Sequence, residues 1–249
     1  MGSDVSKGFV DALIALRDLL QEWFTSALHP VNTSRDLLAV EDEGERLIKA
    51  LKIWVTSFII SVGVFLPLYH QYGIGLSSLE FHLSVVLYLT LGMVACGFAI
   101  QFGLRIYGIR ATLPDVVAVY VAYVMCYQPI LNLLSYFVFI QLFSLLGSAK
   151  GQGLNWGQTT GFFVAQSAAF ANKPDCFQIC SKLCSWPLLA VSCVGSALMA
   201  TSIAEKYSVP RIKCLSAFAF AMVILVPPII FVQGILLAYT EFAFISVKR

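Results

Sequence analysis

The sequence predicts an all-α fold, a polytopic α-helical membrane protein with about five transmembrane helices and two helices ahead of them. Three observations carry this. Five stretches, Leu51–Tyr69, His82–Tyr107, Val116–Leu146, Trp186–Ile203 and Leu215–Thr240, are apolar over about the 20 helical residues that cross a hydrocarbon core about 30 Å thick. The chain of 249 residues is 59% hydrophobic and 12% charged, where soluble domains average about 45–50% apolar and about 25% charged, so lipid has to face the surplus. The net charge of +2 comes without any run of basic residues, which argues against nucleic acid. It leaves as partners the lipid bilayer and other membrane proteins, further copies of the chain included.

Residues 1–50 read as an amphipathic helical segment and residues 51–249 as the transmembrane domain. Within Val5–Leu28, the candidate interface residues Phe9, Leu13, Leu16, Leu20, Trp23 and Phe24 recur at three- and four-residue steps. Asp11, Arg17, Asp18 and Glu22 occupy other angles. Ser3-Asp4 supplies N-cap chemistry and His29-Pro30 stops the helix. The apolar stripe is expected to seat on headgroups, on the protein's own polar end or on a partner. A second helix, Arg35–Leu51, carries the block Glu41-Asp42-Glu43-Gly44-Glu45-Arg46, expected to be a solvated cap. The amino terminus has no basic start followed by an apolar run, so the first span is expected to act as its own insertion signal.

The third span contains Tyr123, Tyr127, Gln128, Pro129 and Asn132. Pro129 lacks an N–H and clashes with the carbonyl of residue 125, so the helix should kink there. Gln128, Asn132 or a tyrosine hydroxyl is expected to take up the freed carbonyl. Pro227-Pro228 should repeat the device in the last span. Ser192, Ser196 and Ala200 form a small-residue face that allows close helix approach. These positions are the candidate helix-packing or polar-core set, either interhelical glue or a kinked polar conduit. Transport by a proton relay finds little support, because no acid, base or histidine lies near the middle of a span.

Orientation follows the basic residues. With five spans and the amino terminus inside, Lys7, Arg17, Arg35, Arg46, Lys49, Lys52, Arg105, Arg110, Lys206, Arg211 and Lys213 are cytoplasmic. Lys150, Lys173, Lys182, Lys248 and Arg249 lie on the other side. In a bacterium this would be the inner membrane. Residues 147–185 form an external loop, in which the amide-rich Leu154–Ala171 reads as an interfacial or re-entrant element; were it to cross, there would be six spans, which the basic residues alone do not separate from five.

No catalytic motif is visible, and no catalytic, cofactor-binding or metal-binding residue is assigned. His70, Glu80 and His82 lack a recognised ligand spacing, and Cys176-x3-Cys180-x3-Cys184 lacks a fourth ligand. Several segments nevertheless carry a family pattern. Tyr69-His70-Gln71-Tyr72-Gly73 closes the first span, Arg105-Ile106-Tyr107-Gly108 the second, and Tyr120-Val121-Ala122-Tyr123 leads to Pro129-Ile130-Leu131. Trp186 through Ser202-Ile203-Ala204-Glu205-Lys206 makes the fourth. From Lys52 onward this resembles the Yip family, the Rab-GTPase-interacting membrane proteins of the early secretory pathway, and their bacterial relatives. The connection between its third and fourth spans is longer than in that family. The resemblance implies five spans, a cytoplasmic amino terminus and no catalytic residues. The expected function is a non-catalytic membrane scaffold or accessory subunit. The alternatives are a permease or channel component with a kinked polar core, and a membrane enzyme acting on lipid.

Overall fold

The structure, a computed structural model, describes residues 2–74, 79–171, 190 and 193–246, and among these every regular element is helical. The chain forms α1 (Gly2–Leu28), α2 (Pro30–Ala39), α3 (Glu43–Gln71), α4 (Leu79–Ile106) and α5 (Leu113–Tyr123). A 3-10 turn, Met125–Tyr127, leads into α6 (Gln128–Gly151), followed by α7 (Trp156–Ala171). Residues 193–206 form α8. Then α9 (Arg211–Phe220) passes through a π-helical turn, Ala221–Leu225, into α10 (Val226–Phe244). Four helical stretches among the described residues are long and apolar enough to cross a membrane: Glu43–Gln71, Glu80–Ile106, Leu113–Tyr136 and Arg211–Phe244. The expected all-α polytopic class is the one found. The start of the expected span Trp186–Ile203, together with Ser192, Cys176, Cys180 and Cys184, lies outside the described residues.

Local chemistry sets several boundaries. The second amino-terminal helix is not continuous over Arg35–Leu51, as its pattern suggests. The chain leaves α2 at an extended Val40, and Asp42 starts α3 by accepting the backbone N–H of Glu45 at 2.7 Å. The acidic residues Glu43 and Glu45 favour that start through the helix dipole. The position between residues 50 and 51 therefore falls inside one helix. Asn155 and Gln158 exchange backbone and side-chain hydrogen bonds (3.0 and 2.9 Å) to cap α7 reciprocally. Gly73, Gly108 and Gly153 take positive φ in the turns that follow α3, α4 and α6.

The helices pack around two apolar clusters. One is built on α5, whose residues Val116 through Val119 are at most 2% exposed, and it draws in α3, α4, α8 and α9. The other is aromatic. Phe65 meets Phe139 edge-on at 4.7 Å, and Tyr69 meets Phe81 at 5.3 Å, geometries worth about 0.5–1.5 kcal/mol each beyond area burial. At this aromatic end, the Lys150 ammonium donates to the carbonyls of Phe242 and Ala243 (3.0 and 2.9 Å) and ties α6 to the end of α10.

Helix approach depends on small residues, only some of them anticipated. A Cβ on Gly92 would lie 2.2 Å from Gln233 Oε1, and one on Gly103 would lie 3.1 Å from the carbonyl oxygen of Ala217. In α8 the contact is made by Gly195, whose Cβ would lie 3.2 Å from the carbonyl oxygen of Tyr123, and by buried Met199 and Ala200. Ser196 is half-buried.

Candidate functional site

Three polar features interrupt the apolar bundle. The first is the break at Pro129. Pro129 is the second residue of α6 and has no N–H to return to the Met125 carbonyl, which takes the Gln128 N–H of the 3-10 turn in its place. The Met125 carbonyl also accepts from the Ser57 hydroxyl of α3 at 2.5 Å. The next carbonyl, of Cys126, accepts from the Trp23 indole N–H at 3.1 Å. Tyr127 then donates its hydroxyl to the Ala27 carbonyl at 2.9 Å, near the exposed end of α1. Gln128, one of the expected partners, thus meets the freed carbonyl through its backbone N–H, and Ser57 adds an unexpected side-chain donor. Gln128 donates to Asn132 Oδ1 at 2.8 Å, and Tyr123 shares a hydrogen bond with Ser202 at 2.9 Å. The α1–α2 turn is thereby held at the level of Ser57 and the third span's break.

That arrangement also revises the amphipathic stripe. Trp23 is the one member seen to insert. Leu13, Leu16, Leu20 and Phe24 are 40–57% exposed, and the Phe9 side chain lies outside the described residues. Pro227 and Pro228 are exposed and follow directly on the π-helical turn within one continuous helical span, and the carbonyls they leave without i−4 donors, of Val223 and Ile224, lie in that turn. The distortion of the last span sits before them, in the π-helical turn. They do not join Gln128 and Asn132 in one core.

The second feature is a buried charge cluster that the sequence reading passed over. Asp115, 1% exposed, pairs with Arg46 of α3 and with the Lys206 ammonium at 2.6 Å, and accepts a hydrogen bond from the Tyr207 hydroxyl. Arg46 also donates to the Val40 and Glu41 carbonyls, and Lys206 to that of Leu38 at 3.3 Å. Burial, then the hydrogen bond to Asp115, pushes the Tyr207 phenol up to about 12, so it remains a donor near neutral pH. Arg46 therefore is not part of a solvated cap. It is 4% exposed, and the expected solvation holds for its acidic neighbours alone. The cluster ties the end of α2 to α3, α5 and the segment after α8. Arg35, Glu205 and Arg211 form looser, exposed pairs nearby at 3.5 and 3.3 Å.

The third feature is a cavity of about 130 Å³ between α3, α4, α6 and α10. One face of α3 lines it from Trp54 to Tyr69, with Gln128 and Asn132 opposite and Glu241 of α10 near the aromatic end. Glu241 is 8% exposed, and among the described residues its carboxyl has no hydrogen bond or ion pair. The expected span Leu215–Thr240 stops one residue short of it, whereas α10 continues to Phe244 and carries it inside. No group of three or more histidine, cysteine or acidic residues able to hold a metal ion occurs among the described residues.

The fold and these features define an all-α polytopic membrane protein with a clamped amino-terminal helical hairpin. No family model, no curated protein and no solved structure matches the chain.

Proposed function

We propose that this protein is a non-catalytic membrane scaffold, a distant analogue of the Yip proteins its sequence resembles, which assembles with other membrane proteins. The observation that carries the reading is the state of α1. Its carboxy-terminal end is fastened to the break in the third span by Trp23 and Tyr127, while Leu13, Leu16, Leu20 and Phe24 stay exposed. A helix anchored at one end and apolar along its free face is suited to lie against the apolar surface of a neighbouring membrane protein. The basic residues favour a cytoplasmic amino terminus, which puts this helix on the inner face.

A conduit through the kinks is the weaker reading. Gln128 and Asn132 bond each other, the carbonyls freed by Pro129 are already taken, and Pro227 and Pro228 face outward. The test is the size of the complex in mild detergent. The full chain should purify with a stoichiometric membrane partner, and Leu13→Asp with Leu20→Asp should release it without lowering the thermal midpoint. A parent protein that runs as a lone monomer sinks the proposal, as does a double variant that keeps its partner.

A further inference from the structure

We propose that the cavity between α3, α4, α6 and α10 is a binding site for a single-chain amphipathic amine, with an alkylammonium head on Glu241 and the chain running along α3. The charge argument comes first. A carboxyl enclosed in a membrane-spanning bundle is costly unless neutralised, and ionisable groups so placed usually face a partner or a pathway. Among the described residues Glu241 has no such partner. Lys150, the ammonium tied to the neighbouring backbone, is committed to the carbonyls of Phe242 and Ala243. Neutralisation can come from a proton or from a cation that enters from outside, and the cavity wall favours the second.

The wall decides which cation. Hard metal ions take six or more oxygen ligands. Here Glu241 shares the cavity wall with Phe65, Tyr69 and Phe139, whose rings favour organic ammonium ions over hydrated metals. The shape decides the rest. The lining runs along α3 from Trp54 to Tyr69, about 22 Å at 1.5 Å per residue, yet encloses only about 130 Å³. A site so long and so narrow suits one alkyl chain and excludes a branched or two-chain lipid. Its mostly aromatic and aliphatic wall, with Ser61 and Asn132 as the sparse polar groups, is the composition of a ligand pocket. Glu241 near one end gives the chain a direction.

The experiment uses the purified full chain in a maltoside detergent, labelled by an eight-carbon primary amine that carries an aliphatic diazirine. Octylamine and octanol serve as competitors. Labelling should map to peptides of α3, α6 and α10, be displaced by octylamine, and be about tenfold less sensitive to octanol. Glu241→Gln should lose about tenfold in labelling at an unchanged thermal midpoint. If that variant does not fold, Phe65→Leu is read instead, with a loss of about threefold expected from the aromatic face. Equal competition by octanol would show a greasy slot without charge selection and overturn the proposal. Labelling confined to other helices, no labelling, or undiminished labelling in the variant that is read would overturn it too.

Discussion

Asp115→Asn tests whether the charge cluster holds the amino-terminal hairpin to the bundle. The substitution keeps shape and most hydrogen-bonding capacity while removing the charge. It leaves the Arg46 guanidinium, whose side chain is 5% exposed, without its counter-ion, and Lys206 with it. Breaking a buried pair from one side costs about 3–5 kcal/mol, because the remaining charge stays desolvated. Glu205→Gln supplies the control. It removes the acid that faces Arg35 and Arg211 across 3.5 and 3.3 Å, with all three side chains at least 40% exposed, and should cost no more than about 1 kcal/mol. The assay is reversible unfolding of the purified protein by sodium dodecyl sulfate in mixed micelles. Arg46→Met and the double variant complete a cycle, and the double should be less damaged than the sum of the singles by more than about 1 kcal/mol. If Asp115→Asn falls within about 1 kcal/mol of the parent, like Glu205→Gln, the cluster does not fasten the hairpin and the reasoning fails.

Two further outcomes follow from the same geometry. Trp23→Phe keeps an aromatic ring in place but loses the 3.1 Å bond to the Cys126 carbonyl, worth about 1 kcal/mol, so amide exchange in α1 should quicken severalfold by mass spectrometry. Unchanged exchange would mean that ring packing alone holds the helix. At Gly92, alanine should be nearly neutral, since the obstructing Gln233 amide is the far end of a flexible side chain. Gly92→Leu should drive α4 from α10 and cost about 1–3 kcal/mol. Equal thermal midpoints for the two variants would contradict the close approach.

Period and length made the fold class legible. Runs such as Leu51–Tyr69 have one stable answer in lipid, and the helical pattern of Val5–Leu28 and its stop at Pro30 were read from spacing alone. What stayed hidden is the identity of partners distant in sequence. Pro129 announces a disturbed carbonyl, but nothing near it says that Ser57 adds a donor to Met125 or that Trp23 reaches Cys126, at separations of 68 and 103 residues. Arg46 was lost inside an acidic block because local composition favours solvation, whereas its burial is set by Asp115, which lies 69 residues away. Glu241 was missed for a third reason. A charge at the end of an apolar run reads as a terminus, and only the continuation of α10 by a further turn brings it within the bundle.

These misses share a physical cause that bears on how the molecule is assembled. Each concerns a polar group whose surroundings come from other helices; the Met125 carbonyl and Arg46 find partners there, whereas Glu241 is enclosed without one. The hairpin of α1 and α2 illustrates the consequence. Its apex answers the break in the third span, and its far end, at Leu38 and Val40, answers Lys206 and Arg46. Asp115 and Met125, at opposite ends of one stretch, both bond α3 as well. The amino-terminal segment, first in the chain, is therefore fixed in place only by residues that come later. A helix recruited by its end carries its remaining stripe unsatisfied, and that stripe is the surface the scaffold reading puts to use.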